Sequence, residues 1–99
     1  MIEFVRENLP DEELLAGLAE EAAELSKAAL KLRRVLDGRN PTPVSLSMAH
    51  ANLEEEIADV LLCLESLGFD HTVLDKYRPM MDGKLERWVG RLREGGDHG

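Results

Sequence analysis

Apolar side chains in the first third of the chain recur at alternating steps of three and four: Leu15, Leu18, Ala22, Leu25, Ala29, Leu32 and Leu36. That is the signature of one long helix with a continuous seam. Pro10-Asp11-Glu12-Glu13 suits its start, with proline in the first turn and acids at the positive end of the helix dipole. Lys31, Arg33 and Arg34 sit near its end, and Gly38 stops it. Such a helix is about 40 Å long. Residues 1–9 are read as a short lead-in turn or helix. Arg39 to Ser47, with Pro41 and Pro43, reads as a loop or extended crossover.

Ser45 or Ser47 can cap a second helix whose seam is Leu53, Ile57, Val60, Leu64 and Leu67, ended by Gly68. Its stretch Val60 to Leu64 is apolar nearly all round, and such a helix is covered on several sides. Two or three helices of one short chain do not supply that cover, so self-association, as a homodimer or tetramer, is expected. Asp70 or Thr72 can cap a third helix from about Val73, which Pro79 should kink or split. Met81, Leu85, Trp88 and Leu92 give its stripe, and Gly95 to Gly99 a frayed tail. No segment alternates with period two for long enough to be a strand. The expected fold is all-α: an antiparallel helical bundle completed by dimerisation, one domain over residues 1–99 with its core at about 10–94.

A chain of 99 residues buries only about 60 to 65% of its unfolded surface as a monomer. Hydrophobic residues at 43% and charged ones at 32% fit a folded helical protein. The formal charge of −8 argues against nucleic acid and anionic membrane as partners. One cysteine excludes an internal disulfide, which makes a reducing cytoplasm the expected location. The N-terminus lacks the basic start and apolar stretch of a signal peptide, and the Val60–Leu64 run is far too short to span a bilayer.

Two acidic motifs match position by position: Glu21-Ala-Ala-Glu24 and Glu56-Ile-Ala-Asp59. Each pair of carboxylates, three residues apart, projects from one side of its helix beside the apolar seam. Gly17 and Ala28 flank the first pair at four residues, Asn52 and Cys63 the second, so small side chains leave volume around the acids. One Glu-x-x-Glu alone carries little information, because Glu-rich helix surfaces are common. Two matched motifs on successive antiparallel helices are much rarer. No Lys or Arg lies between Arg39 and Lys76, so the second motif has no basic partner on its own helix, whereas Lys27 and Lys31 lie near Glu24. Four acids between packed helices repel one another, and a hard divalent cation with oxygen ligands relieves that repulsion. Asn52 shares the acidic stripe and could orient a ligand or a water.

The last helical stretch is basic. Lys84, Arg87 and Arg91 share a face beside the Trp88 stripe. They suit phosphate oxygens, and equally suit ion pairs across the bundle. Cys63 reads as a small apolar core residue, His50 as a surface residue one turn from Glu54, and Trp88 as core. Neither a glycine-rich phosphate loop nor a Ser/His/Asp or Cys/His catalytic set is present.

The order Leu18-Ala-Glu-Glu21-Ala-Ala-Glu24-Leu25, a variable loop, then Glu55-Glu56-Ile-Ala-Asp59-Val60-Leu61, resembles the MazG-like nucleoside triphosphate pyrophosphohydrolases of the all-α NTP pyrophosphatase group. Lys84-Leu-Glu-Arg87-Trp88 and Arg91 look like the basic C-terminal helix of such proteins. The resemblance covers roughly residues 12 to 92. It implies that Glu21, Glu24, Glu56 and Asp59 are ligands of Mg²⁺, with Mn²⁺ a possible substitute. It further implies hydrolysis of a nucleoside triphosphate to a nucleoside monophosphate and pyrophosphate. On that reading Glu20 is a candidate base, and Asn52, Lys84, Arg87 and Arg91 are candidate substrate contacts. The rival expectation is a non-catalytic helical dimer that serves as a protein-binding adaptor or regulator. A di-iron bundle ranks third, because it wants Glu-x-x-His pairs and neither motif contains histidine.

Overall fold

The computed structural model describes residues 1–38 and 44–95. Among them every regular element is helical: α1 (Ile2–Asn8), α2 (Asp11–Asp37), α3 (Leu46–Ser66), a single 3₁₀ turn (His71–Val73) and α4 (Leu74–Arg93). None of these helices is long and apolar enough to cross a membrane. The chain divides into two compact units, Met1–Gly68 and Phe69–Gly99.

In the first unit α2 and α3 pack along each other. They run antiparallel, because Glu21 on α2 meets Glu56 and Asp59 late in α3, whereas Leu32 and Leu36 meet Leu46 and Ala51 near its start. Pro10 precedes α2 in an extended conformation, as its cap rather than in its first turn, and the acids Asp11, Glu12 and Glu13 follow as expected. Gly38 ends the helix with φ 67°, its N–H donating to the Arg34 carbonyl at 3.0 Å. An L side chain at that φ would be strained, so glycine is the residue that stops the helix here. Ser45 caps α3, its Oγ accepting from the Met48 N–H at 3.1 Å. The expected loop over residues 39–47 therefore ends before Leu46, and its part from 39 to 43 lies outside the described residues. The short helix α1 packs on α3, and the Arg6 guanidinium lies close beside Gly68, where φ is 95°.

The core of this unit is small. Leu14, Ala28 and Ala49 are its buried apolar residues, and buried Ser66 donates its hydroxyl to the Cys63 carbonyl at 2.7 Å. The expected seam is only partly inside: Leu18, Leu25 and Leu32 are half-buried, as are Leu53, Val60 and Leu64. Leu15, Leu36 and Ile57 are exposed. The reason is geometric: one helix covers only part of its neighbour's apolar face, and on α2 that cover buries Leu14 and Ala28.

In the second unit Asp70 accepts hydrogen bonds from the Thr72 N–H at 2.9 Å and the Thr72 hydroxyl at 2.6 Å. That cap starts the 3₁₀ turn, from which α4 continues. Pro79 lies inside α4 without splitting it, so of the two expected outcomes, a kink or a split, the split does not occur. Its ring removes one bond, to the Asp75 carbonyl, and the remaining turns carry the helix across. No residue of α4 is buried, and Trp88, read as core, is 56% exposed. The expected tail is described only as far as Gly95.

Pro79→Ala restores the missing N–H. It should raise the stability of α4 by about 2 kcal/mol, the helix-interior cost of proline less its benefit in the unfolded chain. Urea unfolding followed through Trp88 fluorescence reads this directly. A lowered midpoint would show instead that the pyrrolidine ring supports the helix.

Candidate metal centre

The site is built by α2 and α3 within the first unit. Glu56 and Asp59 lie three residues apart on α3 and therefore share a face, and Glu21 comes to them from α2. One carboxylate oxygen from each of the three lies within 4.8 Å of the others, and all three side chains are half-buried. Oxygens on opposite sides of a Ca²⁺ are about 4.6–5.2 Å apart, and about 4.2 Å around Mg²⁺. A separation of up to 4.8 Å would admit a divalent ion among the three oxygens. Hard carboxylate oxygens without a thiolate or imidazole among them fit Mg²⁺ or Mn²⁺.

Glu24, the fourth acid of the paired motifs, stands at the margin. It is exposed on α2, and one of its oxygens lies 3.6 Å from the Lys27 ammonium. Its charge still reaches the site. Desolvation first, then the negative charges of Asp59, Glu21, Glu24 and Glu55, raise the Glu56 carboxyl above the ordinary glutamate range. Five carboxylates thus meet in one field, three of them within bridging distance. Cys63, one turn beyond Asp59, is half-buried, and burial followed by Glu21 and Asp59 pushes its thiol up, which keeps it protonated and neutral.

The remaining sequence candidates are spread more widely. Glu20 is exposed on α2, about 100° round the helix from Glu21. Asn52 is half-buried on α3, one turn before Glu56. Gly17, one turn before Glu21, has no side chain or foreign backbone within 4 Å of where a Cβ would stand, so the space beside the trio is open. Lys84, Arg87 and Arg91 lie exposed on α4, in the second unit. The only further acid–histidine pairing on α3 is His50 Nδ1 with Glu54 Oε1 at 2.8 Å, on its exposed face. Helical spacing could bring out each motif's own pair. It could not say that Glu24 would turn toward Lys27 while Glu21 turned toward α3.

No protein-family model, curated protein or solved structure matches the chain.

Because the Glu56 pKa is raised by folding, the folded chain binds this proton more readily than the unfolded one. Its contribution to stability is complete below the ordinary value of 4.5 and is lost as pH rises through the raised value. In metal-free buffer at neutral pH, Glu56→Gln should therefore melt above the parent. The gap should close at about pH 4, where the parent carboxyl is itself protonated. Melting curves with and without EDTA from pH 4 to 8 check this, and a variant less stable at neutral pH would contradict it.

Proposed function

We propose that the chain is a metal-dependent nucleoside triphosphate pyrophosphohydrolase of MazG-like type, acting as a dimer or higher homo-oligomer. One observation carries the reading: Glu21, Glu56 and Asp59 gather from two successive helices into a half-buried trio. The matched motifs on which they stand are those that resemble the family, and that resemblance supplies the substrate class.

Glu21, Glu56 and Asp59 would hold the ion, and Glu24 could join them by leaving Lys27. A bound Mg²⁺ or Mn²⁺ supplies neutralisation of phosphate charge and acidification of water. The residues of the chain then have separate tasks. Glu56, its carboxyl raised by desolvation and by four acidic neighbours, would be returned to its ionised form by a cation held beside it. Glu20, solvent-facing beside Glu21, is the candidate proton acceptor. Asn52 offers an amide to orient a phosphate or the sugar, one turn from Glu56. Lys84, Arg87 and Arg91 are suited to the departing pyrophosphate, since guanidinium groups pair with phosphate oxygens in bidentate fashion.

The rival reading, a non-catalytic helical dimer that binds a protein, is favoured by a different observation. Large apolar side chains remain exposed on every helix, Leu36 by 67% and Leu62 by 58% among them. Where such side chains join into one patch they offer a surface that a partner would cover. The two readings differ in what the acids do.

The test is pyrophosphate release from a nucleotide panel with Mg²⁺ or Mn²⁺. Alanine at Glu56 or Asp59 should lower turnover by about 100-fold or more, the several kcal/mol of transition-state stabilisation that a bound metal contributes. Helix content should be unchanged, since neither side chain belongs to the buried core. Unchanged turnover in both variants would remove these acids from the reaction, and no pyrophosphate release from any nucleotide would favour the adaptor. A second arm titrates Mg²⁺ against the melting temperature. At about ten times its Kd, the ion should raise the midpoint by roughly 6–11 °C, and a metal-independent midpoint would count against the site.

A further inference from the structure

The two acidic motifs match in sequence but not in outcome. Asp59 lies in the trio, whereas its counterpart Glu24 is not among the three whose oxygens approach within 4.8 Å. Behind each of these acids stand the same two like charges, at i−4 and i−3: Glu20 and Glu21 on α2, Glu55 and Glu56 on α3. Ahead of them the motifs part. At i+3 from Glu24 stands Lys27, and at i+3 from Asp59 stands Leu62.

Helical spacing leaves Lys27 and Glu24 to each other. The Lys27 ammonium lies 3.6 Å from a Glu24 carboxylate oxygen. At i−4, i+3 and i+4 from Lys27 stand Ala23, Leu30 and Lys31, so Glu24 is the one acid within a turn of it on α2. Lys31 repels an ammonium that swings toward the C-terminal end of the helix, and Glu20 and Glu21 repel a carboxylate that swings toward the N-terminal end. Both side chains are more than half exposed, Lys27 at 77% and Glu24 at 53%, so their contact is weak enough for a cation to contest.

We propose that Lys27 sets the metal affinity of the trio: it is a tethered counter-ion that draws Glu24 away, so that three acids rather than four meet the cation. This inference rests on the metal reading above and adds to it a positioning residue that touches neither ion nor substrate.

The test is a double-mutant cycle read as the Mn²⁺ Kd by electron paramagnetic resonance of the free ion. Neutral pH and about 0.15 M salt suit it, because charges more than about 8 Å apart are then largely screened. Lys27→Met should lower the Kd by about two- to fivefold, the scale of an exposed ion pair, and Lys27→Arg, which keeps the cation, should not. In a Glu24→Gln background Lys27→Met should gain nothing. Glu24→Gln should weaken binding little in the parent and more in the Lys27→Met background. Methionine is about as good a helix former as lysine, and Lys27 is well exposed, so circular dichroism should show the helices intact. Three outcomes overturn the proposal. An unchanged Kd in Lys27→Met means that Glu24 does not reach the ion when released. An equal gain with and without the Glu24 carboxylate means that Lys27 acts only through its charge at a distance. In both cases the parent still binds manganese and the metal reading stands. A parent that binds no manganese removes the metal reading and this inference together.

Discussion

Repulsion among carboxylates is the constraint on which the rest of the molecule turns. Antiparallel packing of α2 on α3 brings Glu21 to Glu56 and Asp59, and that packing is fixed by a few small or tightly placed residues, with Ala28 and Ala49 nearly inaccessible. Half-burial removes part of the water that would screen the three charges, and the Glu56 carboxyl responds by holding its proton more strongly. The cost of assembling such a cluster is borne by a fold with a very small core. A cation bound there would convert that cost into affinity, which is the physical link between the hairpin's geometry and the proposed phosphoanhydride chemistry.

The same small core explains the exposed apolar surface. Among the described residues no large side chain is fully buried, and leucines, methionines, Phe4, Phe69 and Trp88 stand open. A short amphipathic helix such as α4, with no buried residue of its own, gains most of its stability from what it packs against. The crowded carboxylates and the uncovered apolar surface are therefore separate deficits, one electrostatic and one hydrophobic.

Much of this was legible in the residues. The three- and four-residue spacing of Leu18, Ala22, Leu25, Ala29 and Leu32 marked α2, Gly38 marked its end and Ser45 the start of α3, because local dihedral and capping preferences decide those points. The match between Glu21-Ala-Ala-Glu24 and Glu56-Ile-Ala-Asp59 brought three of its four acids together. The fourth, Glu24, has an equally near partner in Lys27, and a choice between two competing side-chain contacts is not encoded in spacing. Exposure of Leu15, Leu36 and Trp88 was not legible either, since apolar periodicity states which face seeks cover and not whether one chain contains enough helix to provide it. A split at Pro79 was not decided by residue type: the missing N–H removes one bond, and a helix of 20 residues continues through that loss.

The shared cation is tested most directly by titrating the chain with Mn²⁺ and following the free ion by electron paramagnetic resonance. The parent chain should bind manganese in proportion to chain concentration, Mg²⁺ should displace it, and Asp59→Asn should release it. Manganese binding that is unaltered by Asp59→Asn, or no binding at neutral pH, would contradict the convergence of the three carboxylates on one ion.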